Sequence, residues 1–78
     1  MGNNNPTPME TIAEYLEIVG YKVVAKERHQ HRGQPGWLLK LRNHDEIVAR
    51  DAVWVDDDGP VWVLSQNNTL RRLFQRGW

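Results

Sequence analysis

The stretch Val53-Trp54-Val55-Asp56-Asp57-Asp58-Gly59-Pro60-Val61-Trp62-Val63 constrains the fold more than any other part of the chain. Two runs of β-branched and aromatic residues flank a turn of aspartates, glycine and proline, the composition of a β-hairpin. If Val55 faces Val61 across the turn, Val53 faces Val63 and Trp54 faces Trp62, so both indoles lie on one surface and the valines on the other. Both faces are then apolar. Either the hairpin is covered on both sides, or a tryptophan face stays open as a stacking platform for a base or an anchor for a protein. A domain this small needs its large side chains inside, so a core position is the expectation for both indoles.

The hairpin needs partners, and the flanking sequence supplies them. Thr7-Pro8-Met9-Glu10 is a helix start: Thr7 can cap the free amides, Pro8 lies where a missing N–H costs nothing, and Glu10 can complete a capping box. Met9, Ile12, Ala13, Leu16 and Val19 recur on one helical face and predict a helix ending near Val19, with Gly20 as its terminator. Tyr21 to Lys26 alternate as a strand, with Tyr21, Val23 and Ala25 on one side. Trp37 to Arg42 form a second strand, and Asn43-His44-Asp45 reads as a turn. Residues 46–55 read as a third strand, or as two short ones bent near Asp51. Ser65 to Asn68 form a polar turn with Asn68 as cap, and a closing helix turns Leu70, Leu73 and Phe74 inward. The expected class is α+β: a helix, a three- to four-stranded antiparallel sheet and a C-terminal helix. Residues 1–6 are expected to be a disordered tail and residues 7–78 a single domain.

With 78 residues, no second core is affordable, and the absence of cysteine excludes disulfides and thiolate zinc sites. The start MGNNNPTP has neither a basic nor an apolar targeting segment, and no apolar run approaches a membrane span. A cytoplasmic protein without a membrane partner is the expectation. Ten basic and ten acidic side chains cancel, which argues against nonspecific gripping of phosphate backbones as the main task. The charges nevertheless come in blocks, acidic at Glu10 to Glu17, basic from Lys22 to Arg42, acidic from Asp45 to Asp58, and basic at Arg71, Arg72 and Arg76. Such blocks can fold into a dipolar surface with one basic face, or basic strands can lie beside acidic neighbours and neutralise one another within the fold, which is the expectation.

The segment KERHQHRGQPGW, residues 26–37, reads as a polar loop that carries His29 and His31. On an extended chain the two share a side with Glu27, and His44 could join them, but no spacing of a known zinc site accompanies the pair. Asp56 to Asp58 lack the alternation and the distant glutamate of a calcium loop. No metal and no cofactor are expected. Ser65 lacks the small-residue elbow of a nucleophile, and no glycine-rich phosphate loop is present.

Residues 12–24, IAEYLEIVGYKVV, followed by histidines, together with the closing NTLRRLFQRGW, resemble the HicA-type toxins, small mRNA interferases with a double-stranded-RNA-binding-like fold. The positions of that family's Gly-Ser-His element read Arg28-His29-Gln30 or His29-Gln30-His31 here. The resemblance implies that His29 or His31 would act as general base or acid in RNA cleavage, with Arg28, Arg32, Arg71, Arg72 and Arg76 holding phosphates.

From the residues themselves, the leading expectation is a small non-enzymatic binding protein, an adaptor or inhibitor of the kind phages and plasmids encode, that occludes a protein partner. Its contacts would be the basic segment Arg28 to Arg32, the acidic turn Asp56, Asp57 and Asp58, and the C-terminal arginines. RNA or DNA is the alternative partner, held by Lys26, Arg28, Arg32, Lys40 and Arg42 with Trp37 stacking on a base.

Overall fold

The computed structural model describes residues 7–75; the N-terminal tail expected at 1–6 and the contact expected at Arg76 lie outside them. The elements are α1 (Pro8–Ile18), β1 (Tyr21–His31), β2 (Gln34–Asn43), β3 (Asp51–Asp56), β4 (Val61–Val63) and α2 (Asn68–Gln75). The strands form one antiparallel sheet in the order β1-β2-β3-β4. This is the expected α+β arrangement, with all four strands formed.

The start of α1 follows from its first four residues. Thr7 Oγ1 accepts the Glu10 amide at 3.3 Å and the Glu10 carboxylate accepts the Thr7 amide at 3.3 Å, a reciprocal capping box. Val19 is the C-cap, and Gly20 follows at φ +109°, a conformation that side chains disfavour. Ile12, Ala13 and Leu16 of α1, Leu70 and Phe74 of α2, and Leu39, Leu41, Val53 and Val55 of the sheet form one buried cluster. Leu39 and Leu41 alternate along β2 as Val53 and Val55 do along β3, so these residues mark a single face of the sheet. Both helices cover that face, and Tyr15 meets Phe74 edge-on at 6.0 Å where they touch.

The β3–β4 register is the expected one: Val53 pairs with Val63, Trp54 with Trp62 and Val55 with Val61. Three other readings are corrected. Residues 26–36 are not a loop. β1 and β2 run on through them to a two-residue turn at Arg32 and Gly33, whose φ values of 55° and 79° are those of a type I′ hairpin turn. The alternation of β1 is broken by a bulge at Val24. Tyr21 and Val23 face the helices, but Ala25, Glu27, His29 and His31 are switched to the other face. The third strand begins only at Asp51, and residues 44–50 form an irregular connection that leaves Ile47 and Val48 exposed.

The cap of α2 is Asn67 rather than Asn68. Its Oδ1 accepts the Leu70 amide at 3.0 Å, while its Nδ2 donates to the Tyr21 hydroxyl at 3.0 Å and to Asp51 Oδ2 at 3.1 Å. One side chain therefore ties α2 to the first residues of β1 and β3. Asn67→Ala removes a cap and strands two part-buried partners, and is expected to cost about 2 kcal/mol, read as a lower urea midpoint with an unchanged slope.

Candidate functional site

The candidate site is the sheet face that the helices leave uncovered. Reading across it from β1 to β4, one row is Glu27, Leu38, Trp54 and Trp62, and the next toward the hairpin tip is His29, Gly36 and Asp56. Trp54 is only 1 % exposed although it lies outside the main core, on the face opposite the helices. Gly36 makes this possible. A Cβ there would meet Trp54 Cζ2 at 2.5 Å, so the indole lies flat over the bare backbone of β2. It reaches across the strand far enough for Nε1 to donate to the His29 carbonyl of β1 at 3.0 Å. The His31 imidazole closes the other side, 5.1 Å from the Trp54 ring and 6.0 Å from that of Trp62.

Trp62 remains 45 % exposed. Its ring carries the Arg32 guanidinium at 5.1 Å, a cation–π contact, and Arg32 is held there by the tight turn at φ 55°. Leu64, next but one in sequence, is also exposed, and Leu38 is half-buried in the same face. The expectation that both indoles are core is thus corrected for one of them. Trp54 is buried in a small aromatic cluster of its own, and Trp62 shows nearly half its surface to solvent.

The residues expected to make charged contacts divide. Arg28 lies on the helix side, above Trp37 at 4.9 Å, and forms a two-pronged ion pair with Asp57 at 2.9 and 3.0 Å. The basic hairpin and the acidic turn therefore hold each other. Lys40 is paired with Glu27 at 3.2 Å, and Arg42 donates to the carbonyls of Asn43 and Glu46 at 3.4 and 2.9 Å. Trp37 packs against the main core with its ring face under Arg28. Asp56 is a turn residue, its Oδ1 accepting the Asp58 amide at 2.8 Å. Lys26, Arg71, Arg72 and Asp58 are exposed. His29 is exposed on β1 and shares its face with His31, but the described residues contain no group of three His, Asp or Glu placed to hold a metal.

The hydrogen bonds from Arg28 hold the Asp57 carboxyl below its ordinary value; burial opposes this and Coulomb attraction reinforces it. A carboxyl depressed on folding adds stability above its unfolded pKa and loses it as pH falls through the folded value. Asp57→Asn is therefore expected to lower the urea midpoint slightly at neutral pH. The difference from wild type should vanish once the pH drops below the ordinary carboxylate range. The pair is exposed, so the effect is small and weakens with salt.

Sequence reasoning missed Gly36 as part of this face. A glycine amid polar hairpin residues reads as a turn until the indole above it is seen. No protein-family model, curated protein or solved structure matches the chain. No helix among the described residues is long and apolar enough to cross a membrane.

Proposed function

We propose that the chain is a non-enzymatic binding module that docks a protein partner on the helix-free face of its sheet, with Trp62 as the central contact. The observation that carries this reading is the pairing of a buried Trp54 with a 45 % exposed Trp62 in one row of the sheet. The first indole fixes the backbone; the second rests against His31 and Arg32 and is presented to solvent already ordered. An aromatic anchor held in its bound rotamer loses little entropy on association, which is what binding hot spots require. Ion pairing within the fold also removes Arg28, Asp57 and Lys40 from the charges free to meet a partner. Apolar area then provides most of the affinity, and charge supplies orientation.

Ile47 and Val48 are the other strongly exposed apolar pair, but they belong to an irregular connection and have no such support. An RNA-cleaving role rests on His29 or His31 as the proton-transfer group. The contact of the His31 ring with two indoles suits packing and recognition better than proton transfer.

The test is affinity capture from the native host with wild-type chain, Trp62→Ala and His29→Ala side by side. A protein held by wild type and by His29→Ala should be lost from Trp62→Ala, with a decrease of roughly 30-fold in affinity for a hot spot of about 2 kcal/mol. Trp62→Ala should keep the wild-type unfolding free energy to within about 1 kcal/mol, because the residue is half-exposed. Equal retention by wild type and Trp62→Ala would refute the docking site. Retention of oligonucleotides that fades with salt would transfer the surface to nucleic acid, and RNA cleavage abolished by His29→Ala or His31→Ala would transfer it to catalysis.

A further inference from the structure

The two edges of the sheet differ in chemistry. β1 lies along one of them and carries Lys22, Lys26 and Arg28, charges of the kind that keep an edge strand from pairing with another chain. β4 lies along the other, and its residues are Val61, Trp62 and Val63. No charged side chain guards it.

Hydrogen bonds on either side of the β3–β4 ladder fix the direction of the backbone groups. The Asp56 amide donates to the Pro60 carbonyl at 2.8 Å and the Leu64 amide to the Ala52 carbonyl at 2.9 Å, in register with the Trp54–Trp62 pair between them. Bonded and unbonded pairs alternate along an antiparallel ladder, so Trp54 and Trp62 form a bonded pair while Val53–Val63 and Val55–Val61 do not. The N–H and C=O groups of Val61 and Val63 therefore point away from β3, along the open edge. Beside them on the helix-free face stand Trp62 and Leu64, 45 % and 44 % exposed.

Opposite charges flank this edge. Asp58 is exposed in the turn that precedes β4. Beyond β4, Arg71 of α2 is tied to the end of the strand by its Nε, which donates to the Ser65 carbonyl at 3.2 Å. Neither side chain has an ion-pair partner among the described residues.

We propose that β4 is a self-association edge, and that the partner docked against Trp62 is a second copy of this chain. An antiparallel β4–β4 pair with its two-fold axis at Trp62 is self-complementary. Val61 of each copy exchanges backbone hydrogen bonds with Val63 of the other, and the two Trp62 residues form an unbonded pair, where cross-strand side chains come closest. The same register sets Gly59 opposite Ser65 of the second copy and so brings Asp58 toward the Arg71 tied there, once at each end. A parallel pairing would bring like charges together. The edge is short, so the dimer is weak, with a dissociation constant on the order of 10–100 µM. The inference rests on the reading of Trp62 as a contact residue and adds the identity of the partner.

Sedimentation velocity of the full chain from about 10 µM to about 1 mM tests it. The average mass is expected to rise from monomer toward dimer, and Trp62→Ala should weaken association at least roughly ten-fold. Asp58→Arg and Arg71→Asp should each weaken it roughly three- to ten-fold, while both changes in one chain exchange the signs and restore near wild-type affinity. Urea midpoints measured at the lowest concentration show that each variant folds. Amide exchange at Val61 and Val63 should slow as the concentration of wild type rises, with no such change at Trp62, whose amide is already bonded to β3.

A wild-type chain that stays monomeric throughout, association that survives Trp62→Ala, or a charge-swapped chain no better than the single variants would each overturn the inference. A monomer does not by itself remove the docking reading, which falls only when capture from the host is also indifferent to Trp62→Ala.

Discussion

Gly36→Ala is expected to lower the stability of the chain by about 3 kcal/mol, at the upper end for a single added methyl. At roughly 0.05–0.15 kcal/mol per residue, a domain of this length has about 4–12 kcal/mol in all, so one methyl removes a large part of it. The cost is steric. The new Cβ would lie 2.5 Å from Trp54 Cζ2 and 2.5 Å from the carbonyl oxygen of Val55. The indole could rotate away only by abandoning its bond to the His29 carbonyl, and the Val55 carbonyl belongs to the sheet backbone. Gly33 makes the contrast. Nothing lies within 4 Å of a Cβ there, and its φ of +79° is the only obstacle. Gly33→Ala should therefore cost about 1 kcal/mol. Urea denaturation of the two variants beside wild type checks both values; equal costs would mean that the indole does not cover β2.

Trp54→Ala has the other large effect, about 4 kcal/mol, from the loss of a side chain that is 1 % exposed and of its hydrogen bond. Trp54→Phe is the milder change. The smaller phenyl keeps an aromatic ring but leaves part of the indole's space empty, and the His29 carbonyl loses its donor, so about 2–3 kcal/mol should be lost. The consequence reaches Trp62, because His31 is wedged against both rings. Without Trp54 that wedge has no backing and Trp62 is no longer pre-ordered. Under the proposed docking reading, Trp54→Phe should then weaken binding at Trp62 although Trp54 itself is only 1 % exposed. The two sites must also couple. In a Trp54→Ala background the cost of Gly36→Ala should fall to the part imposed by the Val55 carbonyl, a departure from additivity of about 1–2 kcal/mol. Strict additivity would place the indole somewhere else.

The same contacts show why some of this architecture is legible in sequence and some is not. The β3–β4 register can be read because its turn is built from Asp56, Asp57, Asp58, Gly59 and Pro60, whose backbone preferences are strong, and because only one pairing matches the valines and tryptophans. The α1 start is equally legible, since Thr7, Pro8 and Glu10 act within three residues of one another. The β1–β2 hairpin is hidden for two reasons. Its turn places an arginine at φ 55° where asparagine or aspartate is usual. Residues 27–31 are polar throughout, because this end of the sheet extends past the main core. The bulge at Val24 is invisible for a different reason, since Tyr21, Val23 and Ala25 continue an apolar alternation straight through the point where the faces exchange. That exchange is what places His29 and His31 on the helix-free side.

For the site, the sequence shows that the indoles share a surface but not which one is buried. That outcome depends on Gly36 opening space beneath Trp54 and on the His29 carbonyl lying within reach, two facts about a neighbouring hairpin whose strands cannot be read. The charge blocks are informative only in aggregate. They indicate neutralisation within the fold, and the Arg28–Asp57 fork and the Lys40–Glu27 pair supply it. Which cations find a carboxylate partner, as Arg28, Lys40 and Arg50 do, follows from tertiary placement alone.

Two tryptophans on one sheet face divide their roles, Trp54 buried and holding the hairpin together and Trp62 left nearly half exposed, the arrangement on which the proposed docking surface rests. Hydrogen exchange of the indole N–H groups, followed by NMR on the nitrogen-15-labelled chain, tests it most directly. The Trp54 N–H, buried and bonded to the His29 carbonyl, should exchange only with the opening of the sheet, in step with the amides of Leu39 and Val53, while the Trp62 N–H exchanges at the rate of an exposed indole. Two indoles exchanging at the same rate, both fast or both slow, would contradict the account.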